Sequence, residues 1–373
     1  MSFLERSHSS CPKRGSFANL GTTLKRLTGK MLTSVLLSAS FLASSAANAT
    51  PVLVVDVASR GVLYQEDAGV PWYPASTTKL MTALLTFEAL RANTVTLTTP
   101  VVMTRNATKQ AFLESGLTFG RTMTLEDALY ATITASANDV AVALAETVAA
   151  SEQAFVARMN ERAASLGMTG THFASPNGLF SRQNYSTARD LAILGMEIDR
   201  LFPQYRHFFE ATAVTIDGKE IKSNNLLLTR FSGTVGMKTG FLCASGRNYV
   251  GLTERNGKQV MVVVLGATTE RERNERSAQY LTQAFDGRLT ANAGRVDDIR
   301  NRPDVAPEDM RVRLCTNQSV AYENSREALY PMGLPGHASY LESEMPGRPH
   351  AIRTWASENV LNVPVPTPRP ANL

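Results

Sequence analysis

Two stretches of alternating apolar and polar residues predict β-hairpins, one at each end of the central part of the chain. In the first, Pro51–Ala58 is rich in β-branched residues and leads through an Arg-Gly turn into Val62–Glu66. In the second, Asn248–Glu254 and Gln259–Leu265 flank an Asn-Gly pair, which favours a tight hairpin turn. Both hairpins are therefore expected to contribute strands to a sheet.

Between and after the hairpins, apolar residues recur at helical spacing. Leu80, Leu84 and Phe87 follow Pro74 on one face, which predicts a helix opened by the proline. The remaining predicted helices run from Thr124 to about Ala135, over Asp139–Ala149, from Ser151 to Leu166, from Thr187 onward and over Thr268–Phe285. Strands at both ends with helices between them predict an α+β fold, in which an antiparallel sheet is flanked by helices and a helical lobe lies beside it.

The first 49 residues have the pattern of a cleavable signal peptide. Basic residues precede the apolar run Leu32–Leu42, which is too short to span a bilayer comfortably, and Ala47-Asn48-Ala49 is typical of a cleavage site. These residues hold six Lys or Arg and one Glu, so they account for the whole net charge of +5. The rest is balanced, with 32 basic and 32 acidic residues, which argues against a nucleic-acid partner. The leader predicts export to the periplasm or the medium.

The composition changes beyond about residue 290. Ten of the seventeen prolines lie between Pro303 and Pro370, and the last residues are too Pro-rich for a helix or an inner strand. We expect a signal peptide over 1–49, one catalytic domain over 50–290, an irregular tail of uncertain structure over 291–363 and a disordered Pro-rich end over 364–373. The tail contains no motif and is expected to be dispensable for chemistry; its one early strand-like stretch is Met310–Cys315.

Cys243 and Cys315 are the two cysteines outside the leader. An even pair in an exported protein permits a disulfide, which here would hold Met310–Cys315 beside the segment that follows Lys238. Two free buried thiols are the alternative.

Three short motifs occur in a fixed order: Ser-x-x-Lys at Ser76–Lys79, Ser-x-Asn at Ser136–Asn138 and Lys-Thr-Gly at Lys238–Gly240. Each alone has an ordinary explanation, respectively a helix cap with a solvated lysine, a cap between two helices and a surface turn. Together and in this order they are the signature of serine acyl-transferases that act on D-alanyl peptides or penicillins. A helix start, an interhelix junction and a strand edge are also positions that can line one cleft between two lobes.

The first motif can supply a nucleophile and its base. A serine hydroxyl needs a neighbouring base, and Lys79 lies one helical turn after Ser76 on the same face. The amine must be neutral to accept the proton, whereas the ordinary pKa of lysine is about 10.4. Burial and a second cation, for which Lys238 is the candidate, would lower it. The Ser76 amide, at a helix N-terminus, is a candidate oxyanion donor.

The other two motifs can serve the leaving group and the substrate. Ser136 is a candidate for passing a proton to the leaving amine, and Asn138 for holding a substrate amide or orienting the lysine. Lys238 and Thr239 are expected to donate to the terminal carboxylate of an extended peptide paired with the strand edge. Gly240 is expected to let the ligand approach the backbone closely.

These motifs and their surroundings resemble low-molecular-mass penicillin-binding proteins, the serine-type D-alanyl-D-alanine carboxypeptidases of the S11 class. The matching segments, within about Pro51–Phe285, are Pro74–Thr82, Ser136–Asp139, Phe173–Leu179, Tyr185–Leu191 and Gly236–Gly240. The resemblance implies removal of the terminal D-alanine from peptidoglycan stem pentapeptides through a Ser76 acyl-enzyme, and covalent inhibition by β-lactams. It also implies a role in peptidoglycan biosynthesis and cell shape, with no cofactor and no metal.

The resemblance assigns roles residue by residue. It implies Ser76, Lys79 and Ser136 as catalytic residues and, as substrate-binding residues, Asn138, Lys238, Thr239, Gly240 and Phe241, with the Phe241 amide completing the oxyanion hole. The chain departs from the family at Phe241–Cys243, where many members have Tyr or His followed by Thr, and at Asn184, where His is common. The C-terminal amphipathic anchor helix of many relatives is not evident, and neither is membrane association after signal cleavage.

Three other functions compete with this interpretation. A serine β-lactamase shares the motifs but uses a further carboxylate, usually in a Glu-x-x-Leu-Asn context between the second and third motifs, and no such stretch occurs there. A zinc carboxypeptidase is poorly supported, because no His-Glu-x-x-His occurs and only His172 and His207 lie in the catalytic region. A non-catalytic peptidoglycan-binding relative is disfavoured because Ser76, Lys79 and Lys238 are all retained.

Overall fold

The computed structural model describes residues 50–112, 115–291 and 294–356; the predicted signal peptide and Pro-rich end lie outside the described residues. In chain order, the strands are β1 (Val52–Asp56), β2 (Gly61–Glu66), β3 (Pro100–Val102), β4 (Arg121–Thr124), β5 (Ala213–Ile216), β6 (Lys219–Lys222), β7 (Thr234–Leu242), β8 (Gly246–Arg255), β9 (Lys258–Ala267), β10 (Pro349–Ile352) and β11 (Trp355–Ala356). The helices are α1 (Lys79–Arg91), α2 (Leu125–Ile133), α3 (Asn138–Ala149), α4 (Glu152–Ser165), α5 (Ala188–Leu201), α6 (His207–Glu210), α7 (Leu227–Arg230), α8 (Glu270–Phe285), α9 (Arg311–Leu314) and α10 (Ser319–Leu329). Short 3₁₀ turns cover Ala75–Thr78, Ala107–Lys109, Pro203–Tyr205 and Val296–Asp298.

The two predicted hairpins lie side by side in one antiparallel sheet of order β2-β1-β9-β8-β7. Strand β1 pairs with β9, with Val52 opposite Val264, so the start of the domain closes onto its end. The helices α1 to α5 come between the two hairpins in the chain, and the α+β prediction is confirmed. Strand β7 is an edge of this sheet, which leaves one side of its backbone open to a ligand.

The sheet is covered on both faces. Along β1, Val52 and Val54 belong to a buried cluster with Leu281 of α8, whereas Leu53 and Val55 belong to the main core, which also contains α1, α3 and α5 side chains. This alternation follows from the period of two along a strand. Helix α8 therefore closes one face and the helical lobe packs against the other.

The helix starts agree with the cap residues predicted from the sequence. The hydroxyls of Thr124, Ser151 and Thr187 each accept a hydrogen bond from the backbone amide three residues later. Such caps satisfy amides that have no partner within the helix. Within the described ranges, no single helix is long and apolar enough to cross a membrane; α3 and α4 meet that test only as a pair bent by 83°.

Residues 294–356, here called the C-terminal segment, have regular structure and pack on the domain. Strand β10 runs parallel to β5 and β11 pairs with β4. The prediction that Met310–Cys315 is a strand is wrong: Leu314 N donates to Met310 O and Cys315 N to Arg311 O, which makes one helical turn. A short alternating pattern also fits such a turn, because Met310 is buried while Arg311 is exposed.

Candidate active site

The backbone around Ser76 is held in place from several sides. Ser76 lies in the 3₁₀ turn Ala75–Thr78, which leads directly into α1. The side-chain amide of Asn248 on β8 donates to Tyr73 O at 2.9 Å and to Pro74 O at 3.0 Å. These bonds join the turn to the sheet, so the hydroxyl is presented from a fixed backbone.

Two glycines allow neighbouring segments to approach this turn. A Cβ on Gly178, where φ is +81°, would lie 2.0 Å from Ala75 O. A Cβ on Gly240 would lie 2.9 Å from both Ser76 N and Pro74 O. The sequence predicts that Gly240 makes room for a ligand; in the structure, the group that comes close is the backbone of the turn that carries Ser76.

Lys79 is completely buried and its amine meets three oxygen atoms. Its Nζ lies 3.0 Å from Ser76 Oγ, and it donates to Asn138 Oδ1 and to Asn177 O, both at 2.7 Å. Side chains from the first and second motifs therefore converge on one amine. The contact with Ser76 is short enough for a direct proton transfer.

The second motif lies at the predicted junction between α2 and α3. Ser136 has a positive φ of +59°, which a tight junction imposes on it, and its side chain lines the same cleft as Ser76. Asn138 is the first residue of α3, and besides accepting from Lys79 its amide donates to Phe112 O at 3.2 Å. The next residue, Asp139, is fully buried; burial raises its pKa, against the lowering effect of the hydrogen bond from Ser115. The two hydrogen bonds of Asn138 hold its side chain between the Lys79 amine and the loop that contains Phe112.

The third motif lies within β7, at the edge of the sheet. Lys238 and Thr239 are almost completely buried, and Lys238 Nζ lies 3.0 Å from Thr239 O. Thr239, Gly240 and Phe241 line one wall of the cleft. Phe241 is half exposed, and the Arg247 guanidinium lies 4.6 Å from its ring centroid.

One cleft of about 400 Å³ brings the three motifs together. Its lining contains a member of each motif and the segment after β7; these residues include Ser76, Ser136, Asn138, Thr239, Gly240, Phe241, Leu242 and Cys243. Lys79 and Lys238 lie buried behind this surface. Cys243 forms a disulfide with Cys315, with a Cα–Cα distance of 5.8 Å.

Sequence reasoning missed three charged residues of the cleft: Arg247, Glu270 and Arg273. Arg273 is buried, and burial lowers its pKa to about 10. Its guanidinium donates to Asn224 O at 2.7 Å. The charged run of α8 is typical of a solvated face, so the sequence contains no signal that distinguishes Glu270 and Arg273 from surface residues.

Comparisons with known proteins agree with this geometry. The family model for D-alanyl-D-alanine carboxypeptidases, Peptidase_S11, matches residues 38–269. The chain is 32% identical over 231 residues to the D-alanyl-D-alanine carboxypeptidase DacF of Bacillus subtilis (60% of this chain, 59% of the relative) and 33% identical over 240 residues to DacC of Escherichia coli (62% and 60%). These alignments span about three fifths of each curated relative.

A solved structure of penicillin-binding protein D2 from Listeria monocytogenes, in its cefotaxime-bound form, has a similar fold. It is 30% identical, with a TM-score of 0.57, and the match covers 63% of this chain and 96% of that one. The family model extends over more than half of the chain and contains all three motifs. The chain belongs to the D-alanyl-D-alanine carboxypeptidase family, peptidase S11.

Proposed function

We propose that this protein is a serine DD-carboxypeptidase that removes the terminal D-alanine from peptidoglycan stem pentapeptides. The observation that carries the proposal is the 3.0 Å contact between the buried Lys79 amine and Ser76 Oγ, in a cleft lined by members of all three motifs. A role in peptidoglycan biosynthesis and cell shape follows from that activity. The leader pattern favours export to the periplasm or the medium, with catalysis in the domain 50–290.

In the first half of the reaction, Ser76 Oγ attacks the carbonyl carbon of the penultimate D-alanine. Lys79, neutral at that moment, takes the hydroxyl proton, and the oxyanion is held by the backbone amides of Ser76 and Phe241. The C–N bond then breaks, and D-alanine leaves with a proton delivered through Ser136. The product is an ester between Ser76 and the shortened peptide.

Water completes the reaction. Lys79 takes a proton from the attacking water, the ester C–O bond breaks and the proton returns to Ser76 Oγ. Asn138 orients the amine throughout, since it accepts one of its hydrogen bonds at 2.7 Å. Penicillin enters by the same acylation step, with opening of its strained amide.

The substrate's terminal carboxylate is assigned to the Lys238–Thr239 part of β7. Thr239 lines the cleft there, Lys238 lies buried behind it, and the buried Arg273 adds a positive charge in the same cleft. An extended peptide can pair with the open edge of β7 and place its scissile carbonyl at Ser76. The partners are therefore stem peptides ending in D-Ala-D-Ala, with β-lactams as covalent inhibitors.

Release of D-alanine from a D-Ala-D-Ala pentapeptide tests the proposal. We expect turnover by the protein, loss of turnover in Ser76→Ala, and full activity in Ser325→Ala, which removes a serine hydroxyl on α10 away from the cleft. No D-alanine from the unaltered protein would exclude the activity and favour a non-catalytic peptidoglycan-binding role. Rapid hydrolysis of penicillin without peptide turnover would favour a β-lactamase.

A further inference from the structure

The cleft continues along β7 beyond the third motif, and the C-terminal segment is attached to the chain at that end. Leu242 and Cys243 line the cleft, and Cys243 is joined to Cys315 by the disulfide. The amide of Met310 donates to Ala244 O at 3.0 Å, and the Met310 side chain is completely buried. We call residues Asp309–Cys315 the clasp; two of its residues are fixed to the end of β7.

The clasp also contacts the opposite wall of the cleft. The Arg311 guanidinium lies 4.4 Å from the ring centroid of Phe180, whose ring is tilted against that of Tyr73 at a centroid distance of 5.3 Å, next to the turn that carries Ser76. Phe180 follows Gly178 and Leu179, which both line the cleft. The clasp thus contacts both the end of β7 and the loop that contains Phe180.

The direction in which the peptide substrate lies along β7 determines which of its residues reaches the clasp. A peptide whose carboxylate lies at Lys238–Thr239 and whose scissile carbonyl lies at Ser76 runs antiparallel to β7. Each residue of an extended chain spans about 3.3 Å, so the residue before D-Ala-D-Ala reaches the level of Leu242 and Cys243. A minimal acylated D-Ala-D-Ala ends before that level.

We propose that the clasp forms the subsite for the residue that precedes D-Ala-D-Ala, and that it sets the preference for longer stem peptides. The inference rests on the proposed function. Leu242 and the 39%-exposed ring of Phe180 offer apolar surface, and Arg311 offers a polar edge while it is held by Asp309. This combination fits a long side chain with an apolar stem and a polar end, as diamino acids have.

The test compares two substrates in the full mature protein: acetyl-D-Ala-D-Ala and diacetyl-L-Lys-D-Ala-D-Ala. In Cys315→Ser, which opens the disulfide, we expect KM for the longer peptide to rise about tenfold with kcat little changed, because uniform binding is lost. Activity on the short peptide and labelling by penicillin should stay within about twofold. Val320→Ala, which trims an exposed side chain on α10 outside the clasp, is the matched control and should leave both substrates unchanged.

Arg311→Ala is the second variant, because it leaves the disulfide intact and decides the question if Cys315→Ser does not fold. It should also lower the preference for the longer peptide. An unchanged ratio between the two substrates in either folded variant, or an equal loss on both substrates, overturns the subsite. Unaltered protein that releases D-alanine from neither peptide overturns the proposed function, and this inference with it.

Discussion

Arg326→Ala tests whether the C-terminal segment is an integral part of the fold. Arg326, on α10, is 5% exposed and its guanidinium lies 2.6 Å from the carboxylate of Glu272 on α8. It also stacks on Tyr330, with 4.7 Å to the ring centroid. The substitution leaves a buried carboxylate with one cation, Arg276 at 3.0 Å, and one backbone donor, Thr268 N at 2.9 Å.

The expected loss of stability is large for a residue of the C-terminal segment. Removing one partner of a buried ion pair typically costs about 3–5 kcal/mol. Because Glu272 keeps two partners, we expect the lower end, about 3 kcal/mol, or roughly a 100-fold change in the folding equilibrium. Arg288→Ala, which breaks an exposed pair with Asp286, should cost about 0–1 kcal/mol and is the matched control.

Urea denaturation at pH 7 measures the free energy of unfolding of both variants, and the same measurement at pH 3.5 is an independent check. Burial alone would raise the pKa of Glu272, but the hydrogen bond from Arg326 and the charges of Arg276 and Arg326 outweigh it, so the pKa is lowered from 4.5. A lowered carboxyl pKa stabilises the folded state above the unfolded value, and this contribution is lost as the pH falls through the folded value. The difference between Arg326→Ala and the unaltered protein should therefore shrink at pH 3.5.

A loss below about 1 kcal/mol for Arg326→Ala, equal to that of the control, would refute this reasoning. It would mean that the C-terminal segment contributes little to the stability of the fold.

Three further predictions concern the site. Gly240→Ala should slow acylation by penicillin at least tenfold, measured by stopped-flow labelling, and should lower the melting temperature, because its Cβ would lie 2.9 Å from backbone atoms of the turn that carries Ser76; an unchanged rate would contradict the close packing. Asn138→Ala should lower the rate of acylation about 100-fold, because the Lys79 amine loses an acceptor that orients it. Asn138→Asp should not restore this rate, and labelling of Asn138→Ala at the wild-type rate would exclude the orienting role. Peptide mapping of exported protein without reductant should recover the Cys243–Cys315 pair as one linked fragment, and complete alkylation of both cysteines would disprove the bond.

Much of the fold follows from local patterns in the sequence. The two hairpins and the helix caps at Thr124, Ser151 and Thr187 are set by short-range signals, and the structure agrees with them. The order of the three motifs also indicates a common cleft, since the first two occur where helices begin and the third lies on a strand. These features need no knowledge of distant contacts.

The C-terminal segment and α8 show where local patterns stop being informative. Glu272 and Arg276 have the spacing of a solvated helical face, yet both are almost completely buried because Arg326 and Tyr330 cover them. Arg326 lies more than fifty residues after Glu272 in the chain, so the composition of α8 or of the C-terminal segment alone predicts that these side chains are exposed. Proline content likewise indicates irregularity but does not exclude short helices and edge strands between the prolines.

The most direct test of the account is the intact mass of the mature protein after incubation with benzylpenicillin. The account predicts one covalent adduct per chain, located at Ser76, absent from Ser76→Ala and formed far more slowly in Lys79→Met, because the serine then lacks its base. An adduct of the same mass that persists in folded Ser76→Ala would contradict the assignment of the nucleophile.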